Sequence, residues 1–421
     1  MIELSWREVS ARRLERQGLA TPMTAGTPGG VVRGMCGAHA QVMSAAELSV
    51  ALRLDGATRS TVREALWGTR ELVKTHGPRG TVHLLPAADL WMWVSALSEL
   101  PLVGPTFPEH VRMTGEQTEE VVAAIGVAVR GRELTIDELG EAVVAATGPW
   151  AGDLVMPAFQ TMWPRWRQAM AAAAHRGAFV YGPARGRKVT YTGPPPGTLP
   201  GPAAGPGDGA RGDRGVPDGA RRAGAFRGSA AGGDSVGEGA TRAGMAGNGA
   251  KELLRRYLVA YGPATPQEFA QWLGAPRSWA ARLFASTELE EVRFAGRPAW
   301  VVPGDTQTPG EPPRGVRLLP YFDAYVVAGR PRELLYPGAA AGRALNGGQA
   351  GNHAVLLVDG EVAGVWHQRR SGRRVHVTVE PLRPLTAAQS RELDDQVARI
   401  GEILEARPEP TIGPVTTGPH A

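Results

Sequence analysis

At 421 residues with a formal net charge of +5, the chain is long enough for two to four subdomains rather than one core. It has no run of about 18 apolar residues, which argues against a membrane span. Its one cysteine, Cys36, excludes an internal disulfide framework and cannot by itself build a zinc site. The basic residues are 43 Arg and only three Lys, a bias that fits a GC-rich genome better than any chemistry. A pI near 9.6 permits nucleic-acid binding, although so small a net charge does not establish it. The opening "MIELSWREVSARRLERQ" is charged from the start and has no apolar export signal, so a reducing cytoplasm is the expected compartment.

In residues 1–100 the stretches "LSWREVSARRLERQ", "SAAELSVALRL" and "TRSTVREALWGTREL" read as helices. "LVKTHGPRGTVHLLP" follows as a hairpin, two apolar runs around Gly-Pro-Arg-Gly. The wider segment 35–53, "MCGAHAQVMSAAELSVALR", is expected to be helical throughout, with His39 and Gln41 near its start on either side of Ala40. Residues 101–192 repeat the order: "LTIDELGEAVVAATG" and "MPAFQTMWPRWRQAMAAAAHRG" as helices, then the hairpin "AFVYGPARGRKVTYTG". Residues 193–250 are Gly, Pro and Ala-rich with almost no branched apolar side chains, and predict a disordered linker.

Residues 251–303 give the order a third time. In "PATPQEFAQWLG", Thr265 is placed to cap a helix, Pro266 to open it and Gly274 to end it. After the loop "GDTQTPGEPPRG", residues 316–406 alternate or run apolar, with an Asp-Gly hairpin turn in "VDGEV" and a helix at "TAAQSRELDDQVARIGEILE". The tail, 407–421, is expected to be flexible. Helices followed by a hairpin, three times over, predict an α+β fold of tandem winged-helix domains with a C-terminal β-barrel-like domain.

Few residues stand out for chemistry on type and spacing alone. Arg369, Arg370, Arg373 and Arg374 flank Ser371-Gly372 in a turn between two strands, a pattern suited to phosphate or minor-groove contact and equally to a solvated turn. His367 and Gln368 lie beside them, and Arg79 sits in the first hairpin turn. Trp163, Arg165, Trp166 and Arg167 could stack on bases or fill a core. His83 and His353 have no partners at ligand spacing, so neither a metal nor a cofactor is expected. His39 taken alone reads as a cap or a surface group.

The stretches "WREVSARRLERQGL", "GAHAQVMSAAELSVALR", "VREALWGTRELVKTHGPRGTVHLLP", "LLPYFDAYVVAG" and "VLLVDGEVAGVW" together resemble the AlkZ-like and YcaQ-like winged-helix proteins. These are bacterial DNA glycosylases, and the resemblance covers nearly the whole chain outside the linker and tail. It implies excision of bulky or cationic N7-alkylguanines, and in some members unhooking of interstrand crosslinks as self-resistance to genotoxic natural products. The family's catalytic signature of Gln or His, an apolar residue, then Gln or Asp falls on His39, Ala40 and Gln41. His39 departs from the Gln-first form, and Gln rather than Asp at the second place sets the chain nearer the AlkZ-like branch. The resemblance also puts a DNA-probing hairpin at Arg369–Arg374 and gives Asp323 of "PYFDAY" a structural hydrogen bond. The implied partner is double-stranded DNA with alkylated bases, bound by a monomer near the nucleoid.

An N7-alkylated guanine already carries a positive charge and departs as a neutral base without being protonated. The protein then needs only to orient a water at C1′ and tolerate an oxocarbenium-like transition state. A Gln41 amide can both accept from and donate to that water, and a histidine, whose type titrates near about pH 6.5, can take its proton. The alternative reading is a non-catalytic winged-helix DNA-binding protein such as a transcription regulator.

Overall fold

The computed structural model describes residues 1–101, 107–158, 161–199 and 248–418. Side-chain caps begin several of its helices. Ser5 accepts from the Glu8 amide while the Glu8 carboxylate takes the Ser5 N–H, opening Trp6–Arg16. Thr265 and Glu268 repeat the exchange for Pro266–Leu273, which ends at Gly274 with φ +81°. Capping boxes also open Ile136–Thr147 and Ala387–Leu404.

The three expected hairpins form, but they do not stand apart. The first (Leu72–His76 and Val82–Pro86) and the second (Val180–Arg185 and Lys188–Thr192) join through Lys74 opposite Tyr181. They make one six-stranded sheet with Ala38–His39 on one edge and Glu133–Thr135 on the other. The third hairpin, Glu290–Phe294 and Arg297–Val301, takes the N-terminal strand Glu3–Leu4 in parallel, so the start of the chain is tied to residues near 294. One hydrophobic core runs through the first and third segments and the C-terminal sheet. A second, around Trp166, Phe179 and Ile125, belongs to residues 113–191.

The C-terminal sheet has the order Val316–Leu319, Ala354–Val358, Glu361–Ser371, Arg374–Pro381, Arg407–Ile412. Its first and last strands do not pair, so it is a curled half-barrel and not a closed barrel. The mixed α+β class is as expected. Arg407–Ile412 corrects the expected flexible tail: it pairs in parallel with Arg374–Pro381, so backbone hydrogen bonds hold those six residues.

Two expected helices also differ. In 35–53 only Met43–Ala51 is helical. The preceding helix, Pro28–Gly34, is stopped by left-handed backbone at Cys36 (φ 52°) and Gly37 (φ 95°), and Ala38–His39 then pairs with Leu84 and His83. In 156–177, prolines 157 and 164 deny the backbone donors and α conformation a helix needs. That stretch becomes a short hairpin (Leu154–Pro157 and Met162–Pro164), a 3₁₀ turn and the helix Met170–His175. Trp166 is buried and Trp163 is 39% exposed. The predicted linker lies mostly outside the described residues, at 200–247, and an ordered helix begins at Gly249. Among the described residues no helix is long and apolar enough to cross a membrane, and no cluster of three His, Cys, Asp or Glu could hold a metal ion.

Candidate active site

Extended backbone, not a helix, positions His39 and Gln41. The Ala40 N–H donates to the Val82 carbonyl at 2.7 Å, continuing the pairing of Ala38–His39. Because side chains alternate along a strand, Ala38 and Ala40 enter the core while His39 and Gln41 take the other face. There they line a cavity of about 440 Å³, together with Arg79, Thr81, Gln271, Trp272, Phe322, Arg330, Arg332 and the loop around Gly348 to Asn352.

Two rings hold the His39 imidazole. Phe322 stacks on it at 4.5 Å between centroids, 28° from parallel, and His83 meets it edge-on at 5.1 Å. His83 is opposite His39 across the strand pair. Burial above all, and then the nearness of His39, push His83 well below the usual histidine range. Its Nδ1 lies 2.9 Å from the Thr81 carbonyl; a carbonyl only accepts, so Nδ1 carries the single proton of a neutral ring. His39 thus has an uncharged neighbour, and a proton gained by His39 meets no fixed like charge from that ring.

Phe322 is held in left-handed backbone, φ 57°. Its N–H donates to the Gly351 carbonyl at 2.8 Å. The next residue, Asp323, accepts from Arg53, from the Ser49 hydroxyl at 2.6 Å and from the Tyr325 N–H at 3.0 Å, with Arg53 and Asp323 both fully buried. Asp323 therefore has the structural role expected of it, and its anchoring sets the position of the ring against His39.

The cavity is cationic, and no carboxylate is among its lining residues. Arg79 is exposed as a residue, but its part-buried guanidinium donates to the Trp272 carbonyl at 2.7 Å. Arg330 donates to Gln271 Oε1 at 2.9 Å. Arg332 donates to the carbonyls of Val326 and Val327. Burial lowers all three from the ordinary arginine range, Arg332 to about 9, and the nearness of Arg330 lowers Arg79 and Arg332 further.

The first hairpin turn is no free wing. Arg79 (φ 59°) sits against the end of Pro266–Leu273, so close that a Cβ on Gly274 would lie 3.0 Å from the Arg79 Cα. In the C-terminal hairpin, Arg370 donates to the Leu404 carbonyl at 2.8 Å and Arg374 pairs with Glu409 at 3.2 Å. Arg369 and Arg373 are exposed. His367 Nδ1 lies 3.0 Å from the Tyr321 hydroxyl, and burial lowers its pKa. Gln368 is half-buried. Sequence reading passed over Phe322, Arg330 and Arg332. The only signal for the two arginines is the pair flanking Pro331 in "GRPREL", which looks like any solvated turn.

The model of the family DNA glycosylase AlkZ-like matches residues 32–403. The chain belongs to that family, whose members hydrolyse N-glycosyl bonds of DNA. It is similar to an interstrand DNA cross-link repair glycosylase of Streptomyces sahachiroi, 29% identical over 379 residues, which span 87% of this chain and 88% of the relative. The solved structure of Streptomyces sahachiroi DNA glycosylase AlkZ superposes with a TM-score of 0.75 at 25% identity, covering 98% of this chain and all of that one.

Proposed function

We propose that the chain is a monofunctional glycosylase that hydrolyses the N-glycosidic bond of N7-alkylguanine-type lesions in duplex DNA. Gln41 positions the water at C1′ and His39 holds it or takes its proton. One observation carries the reading: both side chains face the same cavity, and no carboxylate lines it. Without an acid to protonate a leaving base, the site suits a base that is already cationic. Positioning by such groups contributes several kcal/mol, and general-base help about 10²–10⁴-fold.

The helix-and-hairpin units in 1–100, 101–192 and 251–303 are read as winged helices, and 316–406 as the domain bearing the DNA-probing hairpin. Exposed Arg369 and Arg373 support a phosphate or minor-groove contact there. The enzyme is taken to act as a cytoplasmic monomer on chromosomal DNA. The similarity to a cross-link repair glycosylase extends the proposal to crosslinked purines and to self-resistance in a producing strain.

The test is direct. Purified protein is incubated with a duplex carrying one N7-methylguanine, and abasic sites are counted. Excision is expected, and its persistence in a His39→Ala, Gln41→Ala double variant would overturn the site assignment. A duplex with a single N7–N7 crosslink, run beside it, decides whether crosslinks are unhooked.

A further inference from the structure

The cavity poses an electrostatic problem that the catalytic couple does not answer. A cationic base and an oxocarbenium-like sugar are both repelled by Arg79, Arg330 and Arg332, and no lining carboxylate offsets them. Within the lining the protein supplies only dipoles, while the carboxylates of Glu268 and Glu333 act on Arg330 from beyond it. Arg332 donates to the last carbonyls of Ala324–Ala328, and Arg79 to the Trp272 carbonyl in the final turn of Pro266–Leu273. A helix C-terminus offers roughly half a charge, so two such ends offset about one of the three guanidinium charges inside the cavity.

Arg332 is largely accounted for by its helix, although its buried Nε meets no acceptor among the described residues. Arg79 and Arg330 are not. Each guanidinium has five N–H groups; Arg79 gives one to Trp272, and Arg330 gives one to Gln271 and a long 3.4 Å bond to the Gly329 carbonyl. Arg330 is close enough to lower the basicity of Arg79, and both are anchored to the same end of Pro266–Leu273. That anchored pair, lining one cavity and with donors to spare among the described residues, suits a phosphate, whose oxygens arginine binds in a fork.

We propose that Arg79 and Arg330 form a clamp for the backbone phosphate next to the lesion nucleotide. The phosphates bracketing a nucleotide are the anions nearest its C1′. Clamping one sets the reacting carbon against the water held by Gln41 and His39. The anion also lowers the positive charge that the lesion and the sugar meet in the cavity. The clamp rests on the reading of this cavity as the seat of the damaged nucleotide.

The experiment measures binding without chemistry. Full-length protein is titrated, by fluorescence anisotropy, into duplexes carrying a tetrahydrofuran abasic analogue. The phosphates flanking it are native, or one of them is replaced by an uncharged methylphosphonate. Wild type is expected to lose about tenfold in affinity for one flank, and the slope of log affinity against log salt should fall by about 1. Arg330→Gln and Arg79→Gln should bind the native duplex more weakly and lose less than about twofold on the same replacement. Equal losses in wild type and variants, or no loss in wild type at either flank, would overturn the clamp. The wild-type comparison alone decides where a variant fails to fold. Excision from the N7-methylguanine duplex is read separately. Phosphate dependence without excision defeats the glycosylase reading and not the clamp; excision without phosphate dependence defeats the clamp alone.

Discussion

Arg53 and Asp323 form a bidentate pair with no exposed surface, Nη1 to Oδ2 and Nη2 to Oδ1, each at 2.8 Å. The pair joins the turn after the helix Met43–Ala51 to the turn that carries Phe322, 270 residues away in sequence. Removing one partner strands a charge in the core, which typically costs about 3–5 kcal/mol. Asp323→Ala is expected to lose that much in urea unfolding. A loss below about 1 kcal/mol would mean that the surroundings absorb the charge.

Phe322→Ala tests whether the ring matters to catalysis. Alanine keeps the β-carbon, so the penalty of a positive φ is retained and only the stack on His39 goes. Such ring contacts are worth about 0.5–1.5 kcal/mol. Single-turnover excision should slow by about tenfold while duplex affinity stays within about twofold. An unchanged rate would reduce Phe322 to packing.

The water-holding role predicts an order among variants at one position. An amide can keep a water in place but cannot take its proton at neutral pH. His39→Gln is therefore expected to retain within about tenfold of the wild-type excision rate, and His39→Ala to fall by about 10²-fold or more. Equal, large losses in both would assign His39 the part of an obligatory base.

Acid should destabilise the seam between the first two hairpins. Burial, with His175 nearby, lowers His76 from the usual value to about 4, and its Nε2 lies 3.1 Å from the Tyr181 hydroxyl. The folded state thus resists a proton that the unfolded chain accepts at about 6.5. Stability is complete above that value and falls as pH drops from about 6.5 to 4, by at most about 3 kcal/mol from this group. His76→Phe should flatten that part of the stability–pH curve, measured by urea unfolding at pH 7.5, 5.5 and 4.5. Buried His83, also shifted downward, adds a slope of the same sign that the variant keeps.

The four hairpin arginines should divide into two pairs. All four are exposed, but Arg370 donates to the Leu404 carbonyl at the end of Ala387–Leu404 and Arg374 pairs with Glu409. Arg369→Ala is expected to weaken duplex binding and lower the salt slope by about 1, with thermal stability intact. Arg370→Ala should instead lower stability by about 1 kcal/mol. The reverse pattern would place Arg370 on the DNA.

Much of the local structure was legible in advance because its causes lie within a few residues. Thr265, Pro266 and Gly274 mark both ends of one helix, and Gly-Pro-Arg-Gly marks the first hairpin. The failures share another cause. Residues 35–53 have helical composition throughout, but a strand partner at His83 and Leu84 and the left-handed turn at Cys36-Gly37 claim the first part. The tail at 407–412, expected to be flexible as a chain end, pairs in parallel with Arg374–Pro381. No composition window contains that neighbour.

By itself, then, the sequence determined most of the helices and the hairpins, and its family resemblance singled out His39 and Gln41 as candidates. Caps, periodicity and turn chemistry act over a few residues, and they leave their mark there. Only the tertiary structure decided what that pair faces: Phe322 stacked on His39, and Arg79 and Arg330 gathered at the end of one helix. Those neighbours come from parts of the chain some 40 to 290 residues from His39, brought together by core packing and by one buried ion pair. No local pattern encodes such a meeting.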